Sequence, residues 1–73
     1  MTDREAYEIM VKYSGGESGL LMLTEMISLV GVDETAERIM VSFKDHHRPM
    51  PEDFKNWMKQ GLLYLDKSNK SNN

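Results

Sequence analysis

The chain has 73 residues, 40% of them hydrophobic, a net charge of −3 and no cysteine. A chain this short holds one core only. Below roughly 70–80 residues a single core seldom supplies more than about 3–5 kcal/mol, so disulfides, a metal or a partner surface usually supplement it. The lack of cysteine excludes disulfides and thiolate metal sites, which favours association as the supplement.

The opening MTDREAYE has neither the basic start nor the apolar run of a secretory signal, and no uninterrupted apolar segment approaches the roughly 20 residues that span a bilayer. The expectation is a soluble, cytoplasmic protein. Thr2 and Glu5 have capping-box spacing, and Ala6, Ile9, Met10 and Tyr13 follow as a narrow apolar stripe, with Glu8 and Lys12 as an outer i,i+4 pair. The first helix is expected over about 3–13.

SGGESG at 14–19 is too rich in glycine to continue a helix. LLMLTEMISLVGV at 20–32 is apolar on most of its circumference, so other helices must cover it from more than one side. On a helix over 18–30, Leu20, Leu23, Ile27 and Val30 face one neighbour, Met22, Met26 and Leu29 another, and Leu21 lies in line with the polar strip Thr24, Glu25 and Ser28. Gly31 reads as a C′ glycine and Asp33 as the N-cap of a third helix over 33–46, with Ala36, Ile39, Met40 and Phe43 on its apolar face and Glu34 paired to Arg38.

Arg48, Pro49, Met50 and Pro51 read as a linker, because each proline pushes the residue before it out of the helical region. Pro51 suits N1 of a fourth helix over 51–66, whose apolar line is Phe54, Trp57, Met58, Leu62 and Leu65. Gly61 marks either a close helix crossing or a break. The polar run KSNKSNN at 67–73 is expected to be a disordered tail. The whole is an all-α bundle of four short helices, a single domain over 1–66, with the second helix at its centre.

Chemical motifs are weak. Asp45, His46 and His47 are neighbours, yet helical metal ligands need i,i+4 spacing, so no metal, cofactor or catalytic residue is assigned and no enzyme is expected. SGGESG lacks the lysine and spacing of a phosphate loop. It loosely resembles the GGxS segment that carries the prosthetic-group serine of peptidyl carrier proteins, but only seventeen residues precede Ser18, short of that family's upstream helix and loop. An interhelical turn is expected there.

A helix-turn-helix over 23–40 would present Asp33, Glu34 and Glu37 to phosphates, which like charge opposes. Residues 1–43 carry three cations and eight carboxylates, the rest six cations and four carboxylates, so any nucleic-acid surface would use Lys44, Arg48, Lys55 and Lys59. Seven methionines and the leftover Leu21, Val41, Leu63 and Tyr64 give more apolar surface than one small bundle hides. The expected function is therefore protein binding: a regulator, adaptor or inhibitor docking on another protein or pairing as a homodimer, with Leu21, Trp57, Met58, Leu63 and Tyr64 as contact residues. A nucleic-acid-binding regulator is the alternative.

Overall fold

Thr2 and Glu5 close the capping box that their spacing implies: the Glu5 N–H donates to Thr2 Oγ1 at 3.2 Å and the Thr2 N–H to Glu5 Oε1 at 3.3 Å. The Thr2 hydroxyl also donates to that carboxylate at 2.9 Å. These donors stabilise the ionised form and hold the Glu5 carboxyl below its ordinary 4.5, the hydroxyl contributing most. The computed structural model describes residues 2–71, and from this cap it runs through three helices: α1 (Asp3–Tyr13), α2 (Glu17–Asp45) and α3 (Phe54–Ser71). No strand occurs among the described residues. Glu8 turns back to Arg4 at 3.5 Å rather than forward to Lys12.

The architecture is all-α, but with three helices and not the expected four. The stretches expected as separate second and third helices run together as α2, in which Gly31 alone leaves helical geometry (φ 87°, ψ 170°). That conformation is essentially open only to glycine, so the residue sets a kink between the two arms of α2. Between the two arms (17–30 and 32–45), Thr35 is fully buried and donates its hydroxyl to the Gly31 carbonyl at 2.7 Å, fastening the second arm to the kink residue. Asp33, expected to cap a third helix, reaches Lys59 of α3 at 2.7 Å instead. One non-helical residue is also not the three- or four-residue turn of a helix-turn-helix.

The end of α2 is closed by a Schellman motif. The Arg48 N–H donates to the Phe43 carbonyl at 2.9 Å and the His47 N–H to the Lys44 carbonyl at 3.1 Å, with His47 in the left-handed region (φ 54°) that glycine usually fills. The apolar contact that commonly accompanies this motif is replaced by the Arg48 guanidinium, which lies 4.0 Å from the centre of the Phe43 ring.

Helix α3 begins later than expected. Pro51 is not its first residue; its carbonyl accepts the Phe54 N–H at 3.1 Å in a turn, Asp53 takes a positive φ of 59°, and the first helical bond is from the Trp57 N–H to the Asp53 carbonyl. Gly61 does not break the helix. A Cβ there would stand 3.1 Å from the Ala6 carbonyl oxygen, so the missing side chain lets α1 and α3 cross closely. The helix then continues to Ser71, where residues 67–71 were expected in the tail; a Lys70–Asp66 pair at 3.1 Å and an Asn69 to Thr24 hydrogen bond at 3.3 Å hold this last turn. Residues 72 and 73 of that tail lie outside the described residues.

These differences move the centre of the molecule. Helix α3 packs broadly on α1 and on α2, while α1 and α2 scarcely touch, so the hub is α3 and not the apolar stretch at 20–32. All of its apolar line (Phe54, Trp57, Met58, Leu62 and Leu65) is buried. Against it lie Ala6 and Met10 of α1 and Leu23, Ile27, Ala36 and Phe43 of α2. Tyr13, Phe43, Phe54 and Trp57 bring rings from all three helices together, with centroids 4.8–6.3 Å apart. The radius of gyration, 11.4 Å, matches the roughly 11 Å of a compact domain this size, so the kink folds α2 back onto the core.

Candidate functional site

The first arm of α2 supplies two apolar stripes but meets a neighbour on one side only. Leu23 and Ile27 are buried against α3, with Leu20 and Val30 half-covered. Met22, Met26 and Leu29 were expected to pack on a second helix, but they are incompletely covered: Met22 is 53% exposed and Leu29 80%, with Leu21 beside them at 74% and Met26 half-buried. The charges on this arm are the carboxylates Glu17 and Glu25, since no lysine or arginine occurs between Lys12 and Arg38.

The kink at Gly31 sets the second arm at an angle to the first, and an open groove of about 280 Å³ lies between them. Met22 and Met26 line it from the first arm, Ile39 and Arg38 from the second. Tyr13 and Phe43 of the aromatic cluster and Arg48 line it as well. Two arginines and no carboxylate line it, whereas three other clefts on this acidic molecule each include at least one Asp or Glu. Arg38 is engaged at Nε by Glu34 at 3.3 Å. Arg48 makes no ion pair among the described residues; the Schellman turn holds its backbone and its guanidinium carbon lies 4.0 Å from the centre of the Phe43 ring. Glu25 also makes no ion pair among the described residues.

The expected contact residues do not gather into one surface. Trp57 and Met58 are core residues, a correction with a plain cause: the Trp57 ring is packed by Tyr13 and Phe54 at 5.6 and 4.9 Å, and Met58 lies fully buried on the α3 stripe. Tyr64 is half-buried with its ring 5.0 Å from that of Tyr7. Leu21 and Leu63 are exposed. The methionines divide: Met10 and Met58 are core, Met22 and Met50 exposed.

The cations proposed for the nucleic-acid alternative are partly engaged inside the molecule. Lys55 lies 2.7 Å from Glu37 and Lys59 2.7 Å from Asp33, and the Glu37 hydrogen bond raises the Lys55 ammonium above its ordinary 10.5. Lys44 and Arg48 make no ion pair among the described residues, and Arg48 belongs to the groove. The His46 Nδ1–H donates back to the Ser42 carbonyl at 2.8 Å as a helix-end contact, and His47 takes the C′ position. Among the described residues no three His, Asp or Glu side chains stand close enough to hold a metal ion. Of the segment SGGESG only residues 14–16 form the turn between α1 and α2, with Gly15 and Gly16 at positive φ, while Glu17, Ser18 and Gly19, expected in the turn, open α2. No described helix is long and apolar enough to cross a membrane.

Sequence reasoning found the Met22, Met26 and Leu29 stripe and named Arg48 only as a cation for nucleic acid; its place at the groove depends on a left-handed His47 that residue type does not announce. Comparison with known protein families, with curated proteins and with solved structures finds no match to this chain.

Proposed function

We propose that this protein is a small protein-interaction module, a regulator, adaptor or inhibitor, whose working surface is the outward side of α2: Leu21, Met22 and Leu29 together with the groove behind Met22 and Met26. One observation carries the reading. Met22 and Leu29 of the second apolar stripe of the first arm, which a helix of this composition has to cover, are left open to solvent in the folded chain, with Met26 half-buried between them. The groove adds the residue types that recur at interface centres, with tyrosine, methionine and arginine around one apolar depression. At about 280 Å³ and open to solvent it has room for protruding side chains of a partner. The occupant is an apolar helix face, carried by another protein or by a second copy of this one.

The test is capture from a nuclease-treated lysate of the source cells with the wild-type chain and with Met22→Glu and Leu29→Glu, both at exposed positions where the fold tolerates a charge. A protein held by the wild type and released by both variants supports the reading. Equal retention by the variants, or retention abolished by the nuclease, refutes it.

A further inference from the structure

The outward side of α2 contains both halves of a complementary pair. The first arm presents Leu21, Glu25 and Leu29 at i, i+4 and i+8, which places an apolar, acidic ridge on the side turned away from α3. Beside it lies the groove, apolar in its walls and lined by arginine without a carboxylate. Glu25 and Arg48 are both exposed, and neither has an ion-pair partner among the described residues. Such an unpaired acid and unpaired base around one apolar face are what a self-matching surface requires, because a two-fold operation makes every contact twice, i with j and j with i.

We infer that the occupant of the groove is the first arm of a second copy: two chains pair about a two-fold axis, each lays its Leu21–Leu29 ridge in the groove of the other, and Glu25 of each meets Arg48 of its mate. The inference rests on the reading of the α2 face as a docking surface and names its partner. Three features of the groove suit this occupant. Arg48 stands over the Phe43 ring, exposed and with no ion-pair partner among the described residues, so its guanidinium is placed to take a carboxylate. Leu21 and Leu29 are the most exposed large apolar side chains described, so their burial gains most from pairing. Methionine on the receiving walls adapts to the shape of an inserted side chain. A foreign segment would need the same chemistry, apolar and acidic, and this chain already carries it at the right place.

The experiment is sedimentation equilibrium of the full chain from low to high micromolar concentration, with helix content checked by circular dichroism. The wild type is expected at twice the 8.5 kDa chain mass. Glu25→Arg and Arg48→Glu, each alone, set like charges against one another at both contacts and are expected to weaken pairing about tenfold or more. Mixed in equal amounts, the two variants restore opposite charges at both contacts, so a heterodimer of wild-type strength forms. Both substitutions are at exposed positions, and Glu25→Arg by itself decides the matter should Arg48→Glu loosen the end of α2. A wild-type chain that stays monomeric at high micromolar concentration overturns the pairing, as do single variants that pair as tightly as wild type or a mixture that gains nothing. If the chain is monomeric while Met22→Glu still releases a captured foreign protein, the pairing falls and the docking surface stands; if capture is also indifferent to Met22 and Leu29, both fall.

Discussion

Gly31→Ala tests the feature on which the groove depends. At φ 87° and ψ 170° the residue occupies a region essentially closed to L-amino acids, and forcing a side chain into it costs on the order of 1–3 kcal/mol. Nothing lies within 4 Å of where an alanine Cβ would sit, so no overlap adds to this cost and the effect is a pure backbone one. The competing state is also favoured: with residue 31 helical, α2 becomes one straight rod, and alanine stabilises a helix interior over glycine by about 1 kcal/mol. Against a total of about 3–5 kcal/mol for a core of this size, the substitution removes a large share of the stability. Urea unfolding followed by the fluorescence of the buried Trp57 measures it, and for a domain of this length each 1 kcal/mol lost lowers the melting temperature by roughly 4–8 °C. A D-alanine at 31, accessible by total synthesis, adopts positive φ without strain and is expected to leave stability unchanged or raise it. An L-alanine variant as stable as wild type, or a D-alanine variant as unstable as the L-form, would show that the kink is not set by the chirality of this residue.

Four further outcomes are expected. Thr2→Ala removes the hydroxyl that caps α1 and costs about 1 kcal/mol in urea unfolding. In the same variant the Glu5 carboxyl, held low by that hydroxyl, rises toward 4.5 in a carbon-detected NMR titration; because its folded value is the lower one, its contribution is present above 4.5 and fades as pH falls through the folded value. Lys55 has the opposite sign, since its folded value is raised: the Glu37 pair contributes fully below 10.5 and is lost as pH climbs through the folded value, and Glu37→Gln should return the lysine to its ordinary titration. His47→Gly relieves a left-handed non-glycine residue and is expected to raise the free energy of unfolding in urea by roughly 0.5–1 kcal/mol. Met58→Ala and Leu29→Ser separate core from surface: the first should cost about 2–5 kcal/mol and leave the chain near unfolding, whereas the second should stay within about 0.5 kcal/mol of wild type in chemical denaturation.

What the residues disclosed, and what they withheld, divides along a physical line. Caps and stripes are local, so Thr2 with Glu5, the boundaries of α1, the end of α2 at Asp45 and the buried line from Phe54 to Leu65 were all legible. Periodicity names the apolar face of a helix without naming its neighbour, and for that reason the first arm of α2, the most apolar stretch, was expected at the centre that α3 in fact occupies. Residue type also says little about left-handed backbone outside glycine, so Asp53 and His47 gave no warning that α3 begins at Phe54 or that Arg48 folds over Phe43. Of the candidate contact residues, Trp57 was chosen because aromatic side chains anchor interfaces; the same large area puts it inside once Tyr13 and Phe54 are close enough to pack it. The exposed Met22 and Leu29 were readable as a stripe needing cover, but that the cover is absent depends on how the arms are set by Gly31.

The position of α3 at the centre constrains the order of events during synthesis. It follows both other helices along the chain, and α1 and α2 have almost nothing to hold on to until it arrives. The Asp3 carboxylate, which accepts from Gln60 at 2.7 Å, waits through more than fifty residues of growing polypeptide for its donor. A released chain cut short in the linker at 48–53 therefore leaves α1 and α2 with their apolar faces bare, open to chaperones and proteases, whereas adding α3 lets the three described helices assemble together.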